Sequence, residues 1–129
     1  MLNAFPNSEH LKQKHLFDEL FSSGIRSFKH PVMVLWKETE LPTAKPIQVG
    51  FSVPKKHFKK AIQRNRIKRR LREAYRTQKA PLSQHLEKSG RQLAVLFVVV
   101  KPDNISYEEL QPKILLLLQG IEDAVFNAE

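Results

Sequence analysis

The chain has 129 residues, 41% of them hydrophobic and 27% charged, with 22 Lys and Arg against 13 Asp and Glu. This size and composition indicate one globular domain over residues 1–129, because two independent cores would need a longer chain. The lack of cysteine excludes disulfides, thiolate zinc sites and thiol nucleophiles, and is typical of a reducing cytosol.

The positive charge is concentrated in one part of the chain. Twelve basic residues lie between Lys55 and Lys79, where Glu73 is the one acid, and the remainder of the chain has ten basic and twelve acidic residues. Such clustering indicates a localised site for a polyanion rather than a general aid to solubility.

No segment predicts contact with a membrane. The N-terminal residues lack the apolar core of a signal peptide, and the apolar runs "LAVLFVVV" and "ILLLL" are far shorter than the roughly 20 residues of a membrane span. We therefore expect a soluble, cytoplasmic protein with no membrane partner. In that setting the sequon at Asn104 is a chance match.

The first half of the chain predicts a helix and two strands. Leu11 to Phe21 has helical periodicity and Gly24 follows as a stop signal. "HPVMVLWKE" and "IQVGFSV" alternate in the manner of strands, and Pro54 ends the second.

The second half begins with a basic segment, Lys55 to Arg76, that predicts a helix. "APLSQHLEKSG" predicts a loop with about one helical turn. "RQLAVLFVVV" has eight consecutive apolar residues and predicts a central strand covered on both faces. A capping box at Ser106 opens a last helix, which Pro112 should kink or delay.

This order predicts an α+β fold of the α/β sandwich type, with one mixed sheet of three to four strands and three helices packed on it. The basic helix joins two strands and would form a βαβ crossover.

The basic helix has two different faces when residues are placed about 100° apart. One face is apolar and can dock on a sheet: Ile67, Leu71 and Ala74. The opposite face has an i, i+4, i+7, i+11 row consisting of Asn65, Arg69, Arg72 and Arg76, with Lys68 beside it and Arg66 and Arg70 flanking it.

A solvated face is the ordinary explanation of a charged helix. This helix, however, lacks the acids that would form compensating i,i+4 pairs, so its charges repel one another unless a polyanion binds. Arginine predominates, and its planar guanidinium suits bidentate phosphate contacts and stacking on bases. The pattern therefore favours a nucleic-acid surface.

These residues resemble a known family. "VGFSVPKKHFKKAIQRNRIKRRLREAYR", with Arg64-Asn65-Arg66 at its centre, resembles the signature of the bacterial ribonuclease P protein component. "LKQKHLFDELFSSG" resembles that family's opening pattern, and "LAVLFVVVKPDNISYEEL" its late strand and final helix. The resemblance extends from about Leu11 to Leu118, which we take as the core of the domain.

The resemblance implies a protein subunit without catalytic residues of its own. It would bind a catalytic RNA and help it remove the 5′ leader from precursor tRNA, while magnesium ions bound mainly by the RNA serve the hydrolysis. The protein would hold no metal and would act as a monomer in a 1:1 complex. The family also implies a left-handed βαβ crossover, against the usual right-handed rule.

With the row on the helix, the implied contacts to the RNA subunit are Lys55, Lys56, Arg64, Asn65, Arg66, Lys68, Arg69, Arg72 and Arg76. Phe17 and Phe21 would line a cleft for the single-stranded leader. Two Phe at i and i+4 equally suit a core, so partial exposure decides between the two. The lead-in "HFKKAIQ" departs from the family's pattern, because it is one residue longer and lacks a glycine, which affects the geometry of that loop.

The sequence also bears on two other classes of protein. A self-sufficient enzyme is disfavoured, because the five histidines are dispersed, no glycine-rich phosphate loop exists and adjacent acids point to different sides of their helices. A scaffold binder of the ribosomal-protein type remains the alternative, since composition does not separate it from a ribonuclease P subunit.

Overall fold

The computed structural model describes residues 4–101 and 105–127, so the sequon at Asn104 lies outside the described residues. After a short 3-10 helix, Asn7–Glu9, the elements are α1 (Lys14–Ser23), β1 (Ile25–Lys29), β2 (Val32–Glu38), β3 (Ile47–Ser52), α2 (Ala61–Arg76), α3 (Ala80–Ser89), β4 (Leu93–Val99) and α4 (Tyr107–Phe126).

The four strands form one mixed sheet in the order β1-β2-β4-β3. β2 is antiparallel to both β1 and β4, whereas β3 runs parallel to β4 and pairs Val49 with Val95. Since α2 and α3 connect these two parallel neighbours, the predicted βαβ crossover is confirmed, and its left hand stays a prediction. The α+β class is confirmed as well.

β4 separates two apolar layers, because its successive side chains point to opposite faces. Val95 and Phe97 belong to the larger cluster, which the helices α2, α3 and α4 complete. Leu96 lies in the smaller cluster with Leu16 and Leu20 of α1. Every residue of β4 is buried, so the prediction of a central strand covered on both faces is confirmed. Each fully buried Leu or Phe contributes roughly 1.5–3 kcal/mol.

α1 begins three residues later than the sequence predicted. The N–H of Leu11 donates to Val49 O at 3.1 Å, so the preceding segment is extended along the free edge of β3. Gly24 does follow the helix, but with φ −68° it is not left-handed. A Cβ there would lie 2.4 Å from Leu20 O, so this position requires glycine because the backbone approaches closely.

The predicted loop at "APLSQHLEKSG" is wrong, because these residues form the ten-residue helix α3. The chain therefore has four α-helices among its described residues and not three. Pro81 suits the first turn, where its missing N–H has no intrahelical partner. Leu82 and Leu86, one turn apart, are both buried, and Gly90 ends the helix at φ 70°.

Two helix starts also differ from prediction. α2 begins at Ala61 and not at Lys55, because the chain after Pro54 first makes a turn. The expected delay at Pro112 is wrong, since α4 starts at Tyr107 with the predicted capping box at Ser106. Pro112 is exposed inside the helix, and burial of the stripe that begins at Leu110 outweighs its cost of about 3 kcal/mol.

Candidate nucleic-acid interface

The apolar face of α2 is buried as predicted. Ile67, Leu71 and Ala74 are at most 2% exposed and join the larger core, together with Tyr75. Through them α2 packs on α4 and β3. The orientation of the helix is therefore fixed, and the opposite face is held outward.

That outward face has four exposed side chains: Asn65, Arg66, Arg69 and Arg72. Lys68 beside them is half-buried. Within the part of the chain that the structure describes, none of these five makes a hydrogen bond or ion pair, whereas most other polar side chains of the helix do. From Asn65 to Arg72 the row extends about 10 Å along the axis. With Arg66 beside it, the row presents three guanidinium groups and one amide, all without intramolecular partners among the described residues.

The last member of the row is neutralised. Arg76 donates to Glu73 from Nε at 3.1 Å and from Nη2 at 2.6 Å. These hydrogen bonds from Arg76 lower the pKa of the Glu73 carboxyl. The one acid of the helix thus compensates one arginine at i,i+3 spacing, a pair that i,i+4 positions alone do not reveal. The open part of the row therefore ends at Arg72.

Two other arginines of α2 bind backbone carbonyls. Arg70 Nη1 donates to Ile105 O at 2.8 Å and so connects α2 to the start of α4. Arg64 Nη1 donates to Phe58 O at 2.8 Å and to Lys59 O at 3.0 Å. Charged donors on neutral carbonyls make strong hydrogen bonds. Arg64 therefore has a structural role in addition to any contact with RNA.

The carbonyls that Arg64 contacts belong to the lead-in loop, residues 54–60. Pro54 O accepts hydrogen bonds from the N–H groups of His57 and Phe58, both at 3.2 Å, and the Phe58 ring is buried in the larger core. Lys55 and Lys56 are exposed on this turn. The unusual "HFKKAIQ" sequence is thus partly loop, anchored by the buried ring of Phe58, and its last three residues form the first turn of α2.

The two phenylalanines of α1 differ in exposure. Phe17 is half-buried against the smaller core, and Phe21 is 51% exposed. Phe21 is therefore too exposed to be a core residue alone, and its contact with a leader stays a prediction. The Phe17 side chain is partly packed against the smaller core and partly open to solvent.

One aromatic residue on this side of the sheet was missed in the sequence. Phe28 of β1 is 50% exposed and lies opposite Met33 of β2, on the face that α1 covers. All five residues of β1 are exposed, so the strand has no buried face to reveal it. Residues 25–29, "IRSFK", do not alternate apolar and polar side chains, so the sequence contains no signal that marks this strand.

Other site types find no support in residues 4–101 and 105–127. No three His, Asp or Glu side chains there are grouped to hold a metal ion. No helix in those ranges combines the length and apolar character needed to cross a membrane.

Comparisons with known proteins agree on one family. The family model described as Ribonuclease P matches residues 5–122. The ribonuclease P protein component of Chlorobium phaeobacteroides is 34% identical and covers 93% of this chain and 89% of its own. That of Porphyromonas gingivalis is 31% identical and covers 88% and 85%, respectively.

Solved structures show the same fold. The RNase P protein of Staphylococcus aureus superimposes with a TM-score of 0.65 at 19% identity, over 88% of this chain and 94% of its own. The RNase P protein from Thermotoga maritima gives a TM-score of 0.65 at 21% identity, over 87% and 96%.

Proposed function

This chain belongs to the ribonuclease P protein component family, and on that premise we propose that it binds the catalytic RNA subunit of ribonuclease P and the 5′ leader of precursor tRNA. In this proposal the RNA cleaves the leader, and the protein supplies binding and orientation in the cytoplasm as one copy per RNA. Its contribution is electrostatic and geometric.

The observation that carries the proposal is the open row on α2. Asn65, Arg69 and Arg72 are exposed on a helix whose other face is buried, so their spacing is fixed before RNA binds. A flexible basic tail would pay conformational entropy to reach the same arrangement. Guanidinium groups in a fixed row suit the phosphates of a folded RNA, and Asn65 can hydrogen-bond to a base or ribose.

The leader would lie beside α1 on the sheet face that this helix partly covers. Single-stranded RNA is commonly bound by aromatic side chains in a positive groove, with each stacked base contributing about 1–3 kcal/mol. Phe21 offers an open ring, and Phe17 lies one turn before it. Lys55 and Lys56 add positive charge where β3 ends.

We assign the magnesium ions of the reaction to the RNA partner. Among the described residues, no three carboxylate or imidazole side chains are grouped to hold a metal ion.

Reconstitution tests the proposal. Combined with the cognate RNA at low magnesium, the protein should restore removal of the leader from precursor tRNA. If the protein binds the RNA but leaves cleavage unchanged, the scaffold-binder alternative replaces this proposal.

A charge test addresses the row itself. Replacing Arg69 and Arg72 by Ala should weaken binding to the RNA subunit and reduce the slope of log K against log salt by up to about two units, since each lost phosphate contact removes somewhat less than one. The matched control replaces Lys45 and Lys88, two exposed lysines outside α2, and removes the same charge. Equal slopes for both double variants would remove the row from the RNA contacts.

A leader test addresses α1. Phe21→Ala should weaken binding of precursor tRNA with a long leader and leave mature tRNA unaffected. Phe17→Ala should act in the same way, and Phe17→Leu, which keeps the packing against the smaller core, separates stacking from stability. Equal losses for precursor and mature tRNA would show that the two rings serve the core alone.

A further inference from the structure

The turn between β1 and β2 holds two exposed aromatic rings side by side. Phe28 is the fourth residue of β1, and His30 follows in the turn before Val32 opens β2. Their ring centroids are 6.0 Å apart at an interplanar angle of 78°. Both residues are exposed, and Phe28 belongs to neither apolar cluster of the described residues.

The packing of the protein does not explain this exposed ring. An open apolar side chain on an edge strand contributes little to stability and invites aggregation. Phe28 points to the face that α1 covers, where the smaller core lies, yet it stays half exposed. A ring in this position is better explained by a ligand that stacks on it.

Positive charge surrounds the same turn. Lys29 lies between Phe28 and His30 in the chain, with its side chain on the opposite face of the sheet from Phe28. Lys113 of α4 donates a hydrogen bond from Nζ to His30 O. Lys101 is exposed just beyond β4, next to Val100, whose N–H donates to Pro31 O at 2.9 Å. Residues 29–31 and 100–101 contain no acid. Three lysines thus lie around this end of the sheet, and Asp123 of α4 is an acid that lines the same groove as Phe28 and Lys29.

A straight row of residues connects this turn to the lead-in loop. Phe28 lies opposite Met33, Met33 opposite Val98, and Val98 opposite Ser52. The row crosses all four strands on the face of α1, over about 14 Å at the usual strand spacing. Lys55 and Lys56 begin three residues after Ser52. One path therefore runs from these lysines across the sheet to Phe28.

We propose that this turn is a second binding point for single-stranded RNA, where the leader leaves the protein after crossing the sheet. A base stacks on Phe28 beside His30, and Lys101 and Lys113 contact the neighbouring phosphates. This inference rests on the proposed function, because it extends the path of the leader from Phe17 and Phe21 to the turn between β1 and β2. Stacking does not depend on base identity, so the site is tolerant of leader sequence.

The first experiment uses precursor tRNAs with leaders of increasing length and the reconstituted holoenzyme. Phe28→Ala should raise Kd about 5- to 150-fold for long leaders, the equivalent of one stacked base, and leave the shortest leaders unaffected. Lys101→Ala should act in the same direction with a smaller effect. An equal change at every leader length, or none, would overturn the inference while leaving the proposed function intact.

The second experiment needs no cleavage and uses the free protein. Phe28→Trp keeps an aromatic ring and adds an exposed indole, since the one native tryptophan, Trp36, is only 5% exposed. A single-stranded RNA oligonucleotide should quench this indole, and Phe28→Leu should bind more weakly than Phe28→Trp. No quenching at saturating RNA would refute the site. A different outcome is that the wild type forms dimers, that Phe28→Ala abolishes them, and that the affinity for RNA is the same in both proteins. In that case the edge of β1 is a contact between two copies of the chain and not an RNA site.

Discussion

Two ion pairs in this protein have the same length and opposite surroundings. Lys79 Nζ lies 2.6 Å from Glu9 Oε1, with the two side chains 5% and 8% exposed. Arg76 Nη2 lies 2.6 Å from Glu73 Oε1, but these side chains are 37% and 47% exposed. Replacing each glutamate by glutamine makes the same chemical change in both places, and isolates the effect of burial.

Glu9→Gln should lower the free energy of unfolding by about 3–5 kcal/mol, because it leaves the Lys79 ammonium buried without its counter-charge. Lys79 also donates to Ala4 O, so the N-terminal segment should loosen as well. A domain of this size is stable by roughly 5–15 kcal/mol in total, so the loss is a large fraction. Glu73→Gln should have little measurable effect, since water screens an exposed pair.

Urea unfolding followed by fluorescence measures both variants. Trp36 is the one tryptophan and is buried, so its emission reports on the whole domain. The double variant Glu9→Gln with Lys79→Met should recover much of the loss, because it removes the isolated charge. Equal losses for the two glutamate variants would refute the argument that burial, and not the N···O distance, sets the strength of these pairs.

Three further predictions concern stability. Tyr75→Phe should raise the free energy of unfolding by about 1 kcal/mol in urea titrations, because the buried hydroxyl has no hydrogen-bond partner among the described residues. Burial also raises the pKa of Tyr75 well above its ordinary value. The wild type should therefore lose stability as the pH rises above about 10, where the unfolded tyrosine ionises, and the Phe variant should lose less. If the Phe variant is less stable than the wild type at pH 8, the hydroxyl has a hydrogen-bond partner and the prediction is wrong. Gly24→Ala should lower the melting temperature, since its Cβ would lie 2.4 Å from the carbonyl oxygen of Leu20. Gly120→Ala in α4 meets nothing within 4 Å and should stabilise the helix by about 1 kcal/mol. If both variants change the melting temperature in the same direction, this contrast is wrong. Arg64→Ala should destabilise the protein by about 1.5–3 kcal/mol in urea, since the lead-in loop loses two charged hydrogen bonds, and Arg69→Ala should not; equal unfolding curves would mean that Arg64 does not hold the loop.

Features that depend on local periodicity were predictable from the sequence. In β4 and α2, residues that are close in the sequence are enough to predict which side chains are buried. β4 shows this by its unbroken apolar run, and α2 by its 3.6-residue period. β1 has no buried residue, so no hydrophobic pattern marks it in the sequence. It is a strand because its backbone pairs with β2, a contact that the sequence does not show. α3 has only Leu82 and Leu86 to signal a helix, too few for a clear period.

The site was predictable in its outward face and not in its internal contacts. The open row follows from the helical spacing of its residues, because side chains opposite a buried apolar face of a helix are exposed to solvent. Arg64, by contrast, turns back to the carbonyl of the buried Phe58, and no helical wheel contains the loop that precedes the helix. The pair between Glu9 and Lys79 joins residues far apart in the chain, and only the folded structure brings them together.

The parallel pairing of β3 with β4 has a consequence for the order of events during synthesis. Ile47 pairs with Leu93, and all of α2 and α3 lie between them in the chain. When α2 leaves the ribosome, neither β4 nor the α4 surface on which it packs has emerged. We therefore expect the side chains of the basic segment to have no fixed arrangement at that stage, and the helix to discriminate a folded RNA only after α4 has also left the ribosome.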